Sequence, residues 1–317
     1  MSADDVTQYP KYLKHVKYSN QTSLQTLDVC LPRPITLYDS LKLWVMFVSD
    51  NLRIYIIVVD IISRYIHGGA WRDPAISSES FDPALYFLLD HPIVDNIAGF
   101  ASINYCLSPY PSHSTCPSSP DDAARNAKHP DHIQDVLTAL TFLQSEYGFG
   151  KRYLLVGHSC GATLAFQVTM GEWQAHGAAP ISMPQGVLGL EGIYDLVALR
   201  DTHIDIPVYQ DIIENAFGSE KNWEEASPTS ISIRETWTNA RLAVLAHSVN
   251  DELVDQEQLR RMAAAFKAGN GSGREDLVLS LEGKHDDIWR NGWELAQSIV
   301  TALQHLLVTR CSHHSQA

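Results

Sequence analysis

The stretch Tyr153–Leu164 constrains the fold of this 317-residue chain more than any other. A short apolar run ends in the pattern Gly-x-Ser-x-Gly at residues 157–161, and an amphipathic run follows. This order predicts a strand, a sharp turn that presents Ser159, and a helix. Glycines on both sides of the serine let the strand and the helix approach each other closely at the turn. The helix N-terminus favours a negative charge that develops there. The pattern also occurs by chance, so an ordinary strand–helix turn with an incidental serine is the alternative.

The overall charge of the chain is acidic, with a formal net charge of −14 and an isoelectric point near 5.3. This balance argues against nucleic acid or an anionic membrane surface as a partner. The five cysteines are scattered, without a CxxC pair or a metal-type spacing, and the N-terminus is polar and acidic, unlike a signal peptide. We therefore expect a cytoplasmic protein that acts on a small molecule and binds no metal.

Strands alternate with helices along most of the chain, which predicts a mostly parallel sheet with helices on both faces. We expect a polar N-terminal arm as far as about Gln25, and then one domain that includes the whole chain, 1–317. Residues 196–238 are irregular and predict a small lid-like insertion. The predicted strands include Leu27–Pro32 at a sheet edge, Ile97–Tyr105, Gly186–Leu190, Arg241–His247 and Leu277–Leu281. The predicted helices include Phe81–Asp90, Gln256–Lys267 and Trp293–Leu307.

Residues 48–64 belong to the least typical part of the chain. Two β-type runs occur around them, Leu43–Val48 and Ile54–Val59, and charged residues interrupt both before either could span a membrane. One interpretation is a pair of strands joined by a turn. In the other, residues 48–64 are a translated short intron or another gene-model error, because the codons at both ends can carry splice signals. Phe47 then joins Tyr65 directly within one buried strand.

The candidate catalytic residues follow from their positions after predicted strands. A serine hydroxyl is a weak nucleophile, so it needs a base, and the base needs a group that orients it. Loops at the carboxyl ends of parallel strands converge on one edge of the sheet. Asp251 follows one later strand and His285 follows the next. The order Ser159, Asp251, His285 is the one expected of the α/β-hydrolase architecture.

Other residues could fill the same roles. His203 and His247 are rival bases, although both precede the acid and fit the expected order poorly. Glu252 and Asp255 are rival acids. We expect both acids to open the following helix, where an acidic side chain pairs with the helix dipole.

The loop His67–Trp71 is predicted to bind the oxyanion that forms when the serine attacks a carbonyl carbon. Small residues after a strand let backbone N–H groups approach the carbonyl oxygen. The expected donors are the N–H groups of Gly68, Gly69, Ala70 and Cys160. We expect His67 to support the loop without transferring a proton and the thiol of Cys160 to be incidental. Trp71 either lines the pocket or packs.

Three motifs together resemble fungal kynurenine formamidase (arylformamidase), a family of the α/β-hydrolase superfamily. They are His67–Trp71, in place of the HGGG of lipases and esterases, Gly157–Gly161 and Ala246–Leu253. The resemblance covers most of the chain from Tyr12 onward, except residues 48–64. If that segment is genuine protein, it could displace the oxyanion loop and leave a weak or inactive enzyme.

The resemblance implies a function as well as a fold. It implies hydrolysis of N-formyl-L-kynurenine to L-kynurenine and formate in tryptophan degradation and NAD biosynthesis, with no cofactor and often as a homodimer. It assigns the catalytic triad to Ser159, Asp251 and His285. Two alternatives stay open: a carboxylesterase of the hormone-sensitive-lipase type, and a binding protein with a broken site.

Overall fold

The computed structural model describes residues 8–34, 61–171, 173, 180–230, 233–268 and 273–312. Its centre is an eight-stranded sheet in the order β1-β2-β4-β3-β5-β6-β7-β8. The strands are β1 (Lys11–Lys17), β2 (Thr26–Leu31), β3 (Ile61–Ile66), β4 (Ile97–Ile103), β5 (Tyr153–His158), β6 (Gly186–Leu190), β7 (Leu242–Ser248) and β8 (Glu275–Leu281). β2 pairs antiparallel with β1 and β4, and the other neighbours are parallel, so the prediction of a mostly parallel sheet is confirmed.

Helices pack on both faces of this sheet. They are α1 (Asp82–Asp90), α2 (Asp131–Tyr147), α3 (Cys160–Met170), α4 (Leu196–Thr202), α5 (Pro207–Phe217), α6 (Glu220–Ala226), α7 (Ile233–Thr236), α8 (Gln256–Ala268), α9 (Asp287–Arg290) and α10 (Trp293–Ser312). Alternate residues of β5 enter two separate buried clusters: Tyr153 and Leu155 pack with α2 and α3, whereas Leu154 and Val156 pack with α1 and α10. Successive side chains of the strand point to opposite faces of the sheet, so β5 contributes to one hydrophobic core on each face.

The N-terminal arm is the element that the sequence predicted wrongly. Residues 11–17 form the edge strand β1, so β2 lies one position inside the sheet. Most side chains of β1 are exposed or half-buried, and for this reason the segment lacks an apolar face that a pattern could reveal. Lys14 fixes it to the domain through Asp28 and Asp82, at 3.2 and 2.9 Å.

The atypical segment lies largely outside the described residues. This holds for the predicted runs Leu43–Val48 and Ile54–Val59 and for residues 48–60 of the expected insertion. Residues 61–64 are described, and they form the first part of β3 between β4 and β5. The loop His67–Trp71 follows β3 directly, and the expectation that the segment could displace this loop stays a prediction.

The helices α4 to α7 lie in the described part of the region between β6 and β7, where the irregular insertion was expected. This region contacts the loop after β3, because Arg72 forms an ion pair with Asp211 of α5 at 2.5 Å. Trp71 meets Phe217 of the same helix edge to face, with 4.9 Å between ring centroids. Within the described ranges, none of the helices combines the length and apolar character needed to cross a bilayer.

Candidate active site

The turn between β5 and α3 has the backbone that the glycine pattern predicted. Ser159 has φ 56° and ψ −126°, in the left-handed half of the map that residues with a Cβ rarely adopt. Its N–H donates to the carbonyl of Leu190 at 2.9 Å. A Cβ on Gly157 would lie 2.2 Å from the carbonyl oxygen of Gly161, and one on Gly161 would lie 2.2 Å from that of Ile66. The predicted strand, sharp turn and helix are confirmed.

Replacing Gly161 with alanine will lower the free energy of unfolding by about 2 kcal/mol or more. The new Cβ would meet the backbone at the end of β3, which cannot withdraw as a flexible side chain could. Gly273→Ala is the matched control, since nothing lies within 4 Å of its Cβ position. Urea denaturation measures both variants, and equal stabilities would contradict the close approach of α3 to β3.

The predicted acid and base are directly hydrogen-bonded. Nδ1 of His285 donates to Oδ2 of Asp251 at 2.8 Å, and the other carboxylate oxygen accepts the N–H groups of Leu253 and Val254 at 2.8 and 2.9 Å. Burial by itself raises the pKa of Asp251, but the hydrogen bond and charge of His285, the neighbouring Glu191 and the N–H of Val254 outweigh it and lower the pKa below its usual range. Asp251 is therefore an anion that fixes the orientation of the His285 ring, so that Nε2 lies on the side of the ring away from Asp251.

The nucleophile candidate lies beside this pair. The ring of His158, the residue before Ser159, lies 4.7 Å from the ring of His285, and its Nε2–H donates to the carbonyl of His285 at 3.1 Å. Burial lowers the pKa of His158, so its ring is neutral. Although both residues are described, no hydrogen bond joins the Ser159 hydroxyl to His285. Such contacts are often long in free enzymes and shorten when substrate binds.

The rival residues make other contacts, although His247 and Glu252 lie next to the predicted acid and base. His203 stacks on Tyr209 with 4.0 Å between ring centroids. His247 donates through Nε2 to the carbonyl of Val254 at 3.1 Å. Asp255 accepts the N–H of Glu257 in the first turn of α8, as predicted, at 2.9 Å. The same prediction for Glu252 is wrong, because Glu252 accepts the backbone N–H of His285 at 3.1 Å.

The oxyanion loop is held in an unusual backbone conformation. Gly69, Ala70 and Trp71 have φ values of 97°, 50° and 59°, three consecutive residues in the left-handed region. Such strain persists only where the surroundings enforce it. Here the ring of His67 stacks on Tyr105 at 4.5 Å, and the Tyr105 hydroxyl donates to the carbonyl of His67 at 3.1 Å. The loop is therefore fixed before a substrate arrives.

His67 fits the predicted supporting role. Its Nδ1 lies 2.8 Å from the carbonyl oxygen of Gly68, so this nitrogen carries the proton. Burial lowers the pKa of His67 to about 4, and the neutral ring is a poor proton carrier near pH 7. Trp71 is fully buried against Phe217, so of its two predicted roles the structure shows the packing one.

The thiol of Cys160 has a role that the sequence did not predict. Its Sγ accepts the N–H of Trp71 at 3.3 Å and so connects the start of α3 to the oxyanion loop. Burial raises the pKa of Cys160 to about 11, and the group is a neutral thiol. The expectation that this thiol is incidental is wrong. The sequence could not predict the contact, because Trp71 and Cys160 are far apart along the chain. The support from Tyr105 was missed for the same reason.

Comparison with known proteins is consistent with this site. No model of a protein family matches the sequence. Kynurenine formamidase-like hydrolase fscH of Fusarium equiseti is 35% identical over 312 residues, which cover 94% of this chain and 97% of that protein. Kynurenine formamidase avaC of Aspergillus versicolor is 35% identical over 305 residues, which cover 89% and 97%.

Solved structures agree on the fold. An inhibited form of esterase B from Lactobacillus rhamnosis superimposes with a TM-score of 0.66 at 16% identity, covering 99% of this chain and 91% of that one. A truncated carbohydrate esterase from gut microbiota gives a TM-score of 0.59 at 14% identity, covering 93% and 96%. These likenesses show the α/β-hydrolase fold, and the full-length similarity to the fungal proteins shows the family. The chain is a hydrolase and belongs to the kynurenine formamidase family.

Proposed function

We propose that this protein cleaves the formyl amide of N-formyl-L-kynurenine to give L-kynurenine and formate, with Ser159, Asp251 and His285 as the catalytic triad. The observation that carries the proposal is the buried Asp251–His285 hydrogen bond at 2.8 Å, which lies beside the strained turn of Ser159. The names of the relatives support the choice of substrate. The family resemblance supports a place in tryptophan degradation and NAD biosynthesis.

The first half of the reaction forms a formyl-enzyme. Nε2 of His285 takes the hydroxyl proton as Ser159 Oγ attacks the formyl carbon. The N–H groups of Gly68, Gly69, Ala70 and Cys160 are the candidate donors to the tetrahedral oxyanion. His285 then gives its proton to the departing aryl amine, and the C–N bond breaks. An aryl amine leaves more readily than an alkyl amine, so a site built like that of an esterase suffices.

The second half restores the enzyme. Water enters after the aryl amine has left, and His285 takes one of its protons as the oxygen attacks the formyl carbon. The tetrahedral intermediate collapses, the bond to Ser159 Oγ breaks, and the serine recovers its proton from His285 while formic acid leaves and releases its remaining proton to water to become formate. Asp251 stays ionised throughout, because its pKa is lowered and its lone pairs stay hydrogen-bonded. It stabilises each imidazolium that forms.

A comparison of two substrates tests the assignment. We expect kcat/KM for N-formyl-L-kynurenine to exceed that for p-nitrophenyl acetate by about 100-fold or more. The ester lacks the amino-acid group, so the polar groups that bind this part of the substrate would stay unpaired. Stopped assays of kynurenine formation and of nitrophenolate release give both constants on one preparation. A preference for the ester favours the carboxylesterase alternative. Failure of a fluorophosphonate probe to label Ser159 favours a binding protein.

We also propose finer properties for which the support is indirect. A cytoplasmic location is supported by the free thiols of Cys30, Cys106, Cys116 and Cys160. A homodimer is supported by the family resemblance. A lid-like role for residues 196–238 is supported by the Arg72–Asp211 ion pair with the oxyanion loop. Cell fractionation and sedimentation would contradict the first two if they gave a membrane-bound or monomeric protein.

A further inference from the structure

A buried glutamate adjoins the proposed catalytic acid. Glu191 follows β6 and is fully buried, and its backbone has φ 47°, in the left-handed region that few of the described residues with a Cβ adopt. Its own N–H donates to the carbonyl of Ala246 at 2.9 Å, and its Oε1 accepts the N–H of Ser248 at 3.0 Å. The ends of β6 and β7 therefore fix both the backbone and one carboxyl oxygen of Glu191.

The second carboxyl oxygen points into a cluster of titratable groups. Oε2 of Glu191 lies 3.1 Å from Nδ1 of His247, and ligand-type atoms of Glu191, His247 and Asp251 all lie within 4.8 Å of one another. Nε2 of His247 carries a proton, because it donates to the carbonyl of Val254. Burial lowers the pKa of His247, so the ring is neutral and Nδ1 presents a lone pair.

The protonation state of Glu191 follows from these neighbours. An ionised Glu191 would face the lone pair of His247 and the carboxylate of Asp251 without water, which costs several kcal/mol. Burial, together with the neighbouring carboxylate of Asp251, raises the pKa of Glu191 to about 10. The titratable groups around the cluster are His247, Asp251, Glu252, His285 and Tyr194.

We propose that Glu191 is a positioning residue for the triad: as an uncharged carboxylic acid, it donates a hydrogen bond to Nδ1 of His247 and places no second negative charge beside Asp251. The proposal rests on the catalytic roles proposed above. The neutral acid leaves Asp251 as the single buried anion that His285 contacts. A second anion there would stabilise the imidazolium in the resting enzyme and reduce the fraction of His285 available as a base near pH 7.

Glu191→Gln and Glu191→Ala test the proposal. We expect Gln, which is neutral and keeps an N–H donor, to retain kcat/KM within about threefold, and Ala to lose about 10- to 100-fold in kcat with little change in KM. Glu275→Gln on β8 is the matched control and should behave as the wild type. Full activity of the Ala variant, or loss of activity in the Gln variant to the level of Ala, would overturn the positioning role.

The pH profile separates a neutral Glu191 from an ionised one. An ionised Glu191 would favour the protonated catalytic base by its negative charge, so its replacement by Gln would shift the acidic limb of kcat/KM to lower pH. A neutral Glu191 leaves that limb unchanged, which is the expected result. A shift of about one pH unit in the Gln variant would overturn the proposal, as would a stoichiometric metal ion found in the purified protein by elemental analysis.

An infrared difference spectrum between wild type and Glu191→Gln gives a readout that needs no substrate. We expect the carbonyl band of a protonated carboxylic acid at pH 7 in the wild type and its loss in the variant. Absence of the band would overturn the proposal even if the Ala variant fails to fold. If the wild type does not hydrolyse N-formyl-L-kynurenine, the proposed function fails, and this band still decides the state of Glu191.

Discussion

Ser159→Ala will lower kcat/KM for N-formyl-L-kynurenine by about 10⁴-fold or more. The hydroxyl is the proposed nucleophile, and the remaining oxyanion loop and binding contacts account for the residual rate. The fold should persist, since alanine and serine experience the same strain at φ 56°. Discontinuous assays of kynurenine formation measure the rate, and urea denaturation measures the stability. The variant should also lose labelling by a fluorophosphonate probe.

The triad acts as a unit, which provides a sharper test than one substitution. We expect the double variant of Ser159→Ala and His285→Ala to be no slower than either single variant by more than about threefold, because removal of one member already disables the others. Ser280→Ala, at an exposed position of β8, is the matched control and should keep full activity. Multiplicative losses in the double variant would mean that the two residues act independently.

The sequence predicted where the candidate triad residues lie, because each of them follows the end of a strand. Ser159, Asp251 and His285 each follow a strand of a parallel sheet, so their convergence needs no knowledge of side-chain contacts. The hydrogen bond between Asp251 and His285 was within reach of that argument. Among the described residues, no hydrogen bond joins Ser159 to His285, and the proposed mechanism requires one to form when substrate binds.

The supporting residues could not be predicted because long-range contacts define them. Glu191 follows a strand as Asp251 does, but only the structure shows that its carboxyl turns toward Asp251 rather than toward solvent. The thiol of Cys160 accepts a hydrogen bond from the backbone N–H of Trp71, which is distant in the sequence. The edge strand β1 lacks a buried face, so its sequence carries no alternation, and its place depends on pairing with β2.

Removing residues 48–64 will raise the free energy of unfolding by about 3 kcal/mol or more. We propose that this segment is an insertion, and Arg64 supplies the physical argument. Arg64 is fully buried at the centre of the sheet, where it pairs with Ala101 of β4 and Leu155 of β5. Its three guanidinium nitrogens have no hydrogen-bond acceptor among the described residues, and neither does the hydroxyl of Ser63.

The energetic balance at Arg64 is unfavourable. Burial lowers its pKa to about 9, which leaves the side chain charged at pH 7. The guanidinium carbon lies 3.8 Å from the ring centroid of Phe149, a cation–π contact that contributes about 2 kcal/mol when desolvated. Moving an unpaired charge out of water costs more than that. In the shorter chain, Phe47 and Met46 would take the positions of Arg64 and Ser63 and bury apolar surface instead.

Urea denaturation of four proteins measures this prediction: the full chain, the deletion variant, Arg64→Met and Arg260→Met. The deletion and Arg64→Met should both be more stable than the full chain, because each removes the unpaired charge. Arg260 is exposed on α8, so its replacement should change stability by no more than about 0.5 kcal/mol. The oxyanion loop begins after Ile66 in every variant, so activity per folded molecule should stay the same. A deletion variant that fails to fold, a destabilised Arg64→Met, or a spliced transcript that contains these codons would each show that the segment is genuine protein.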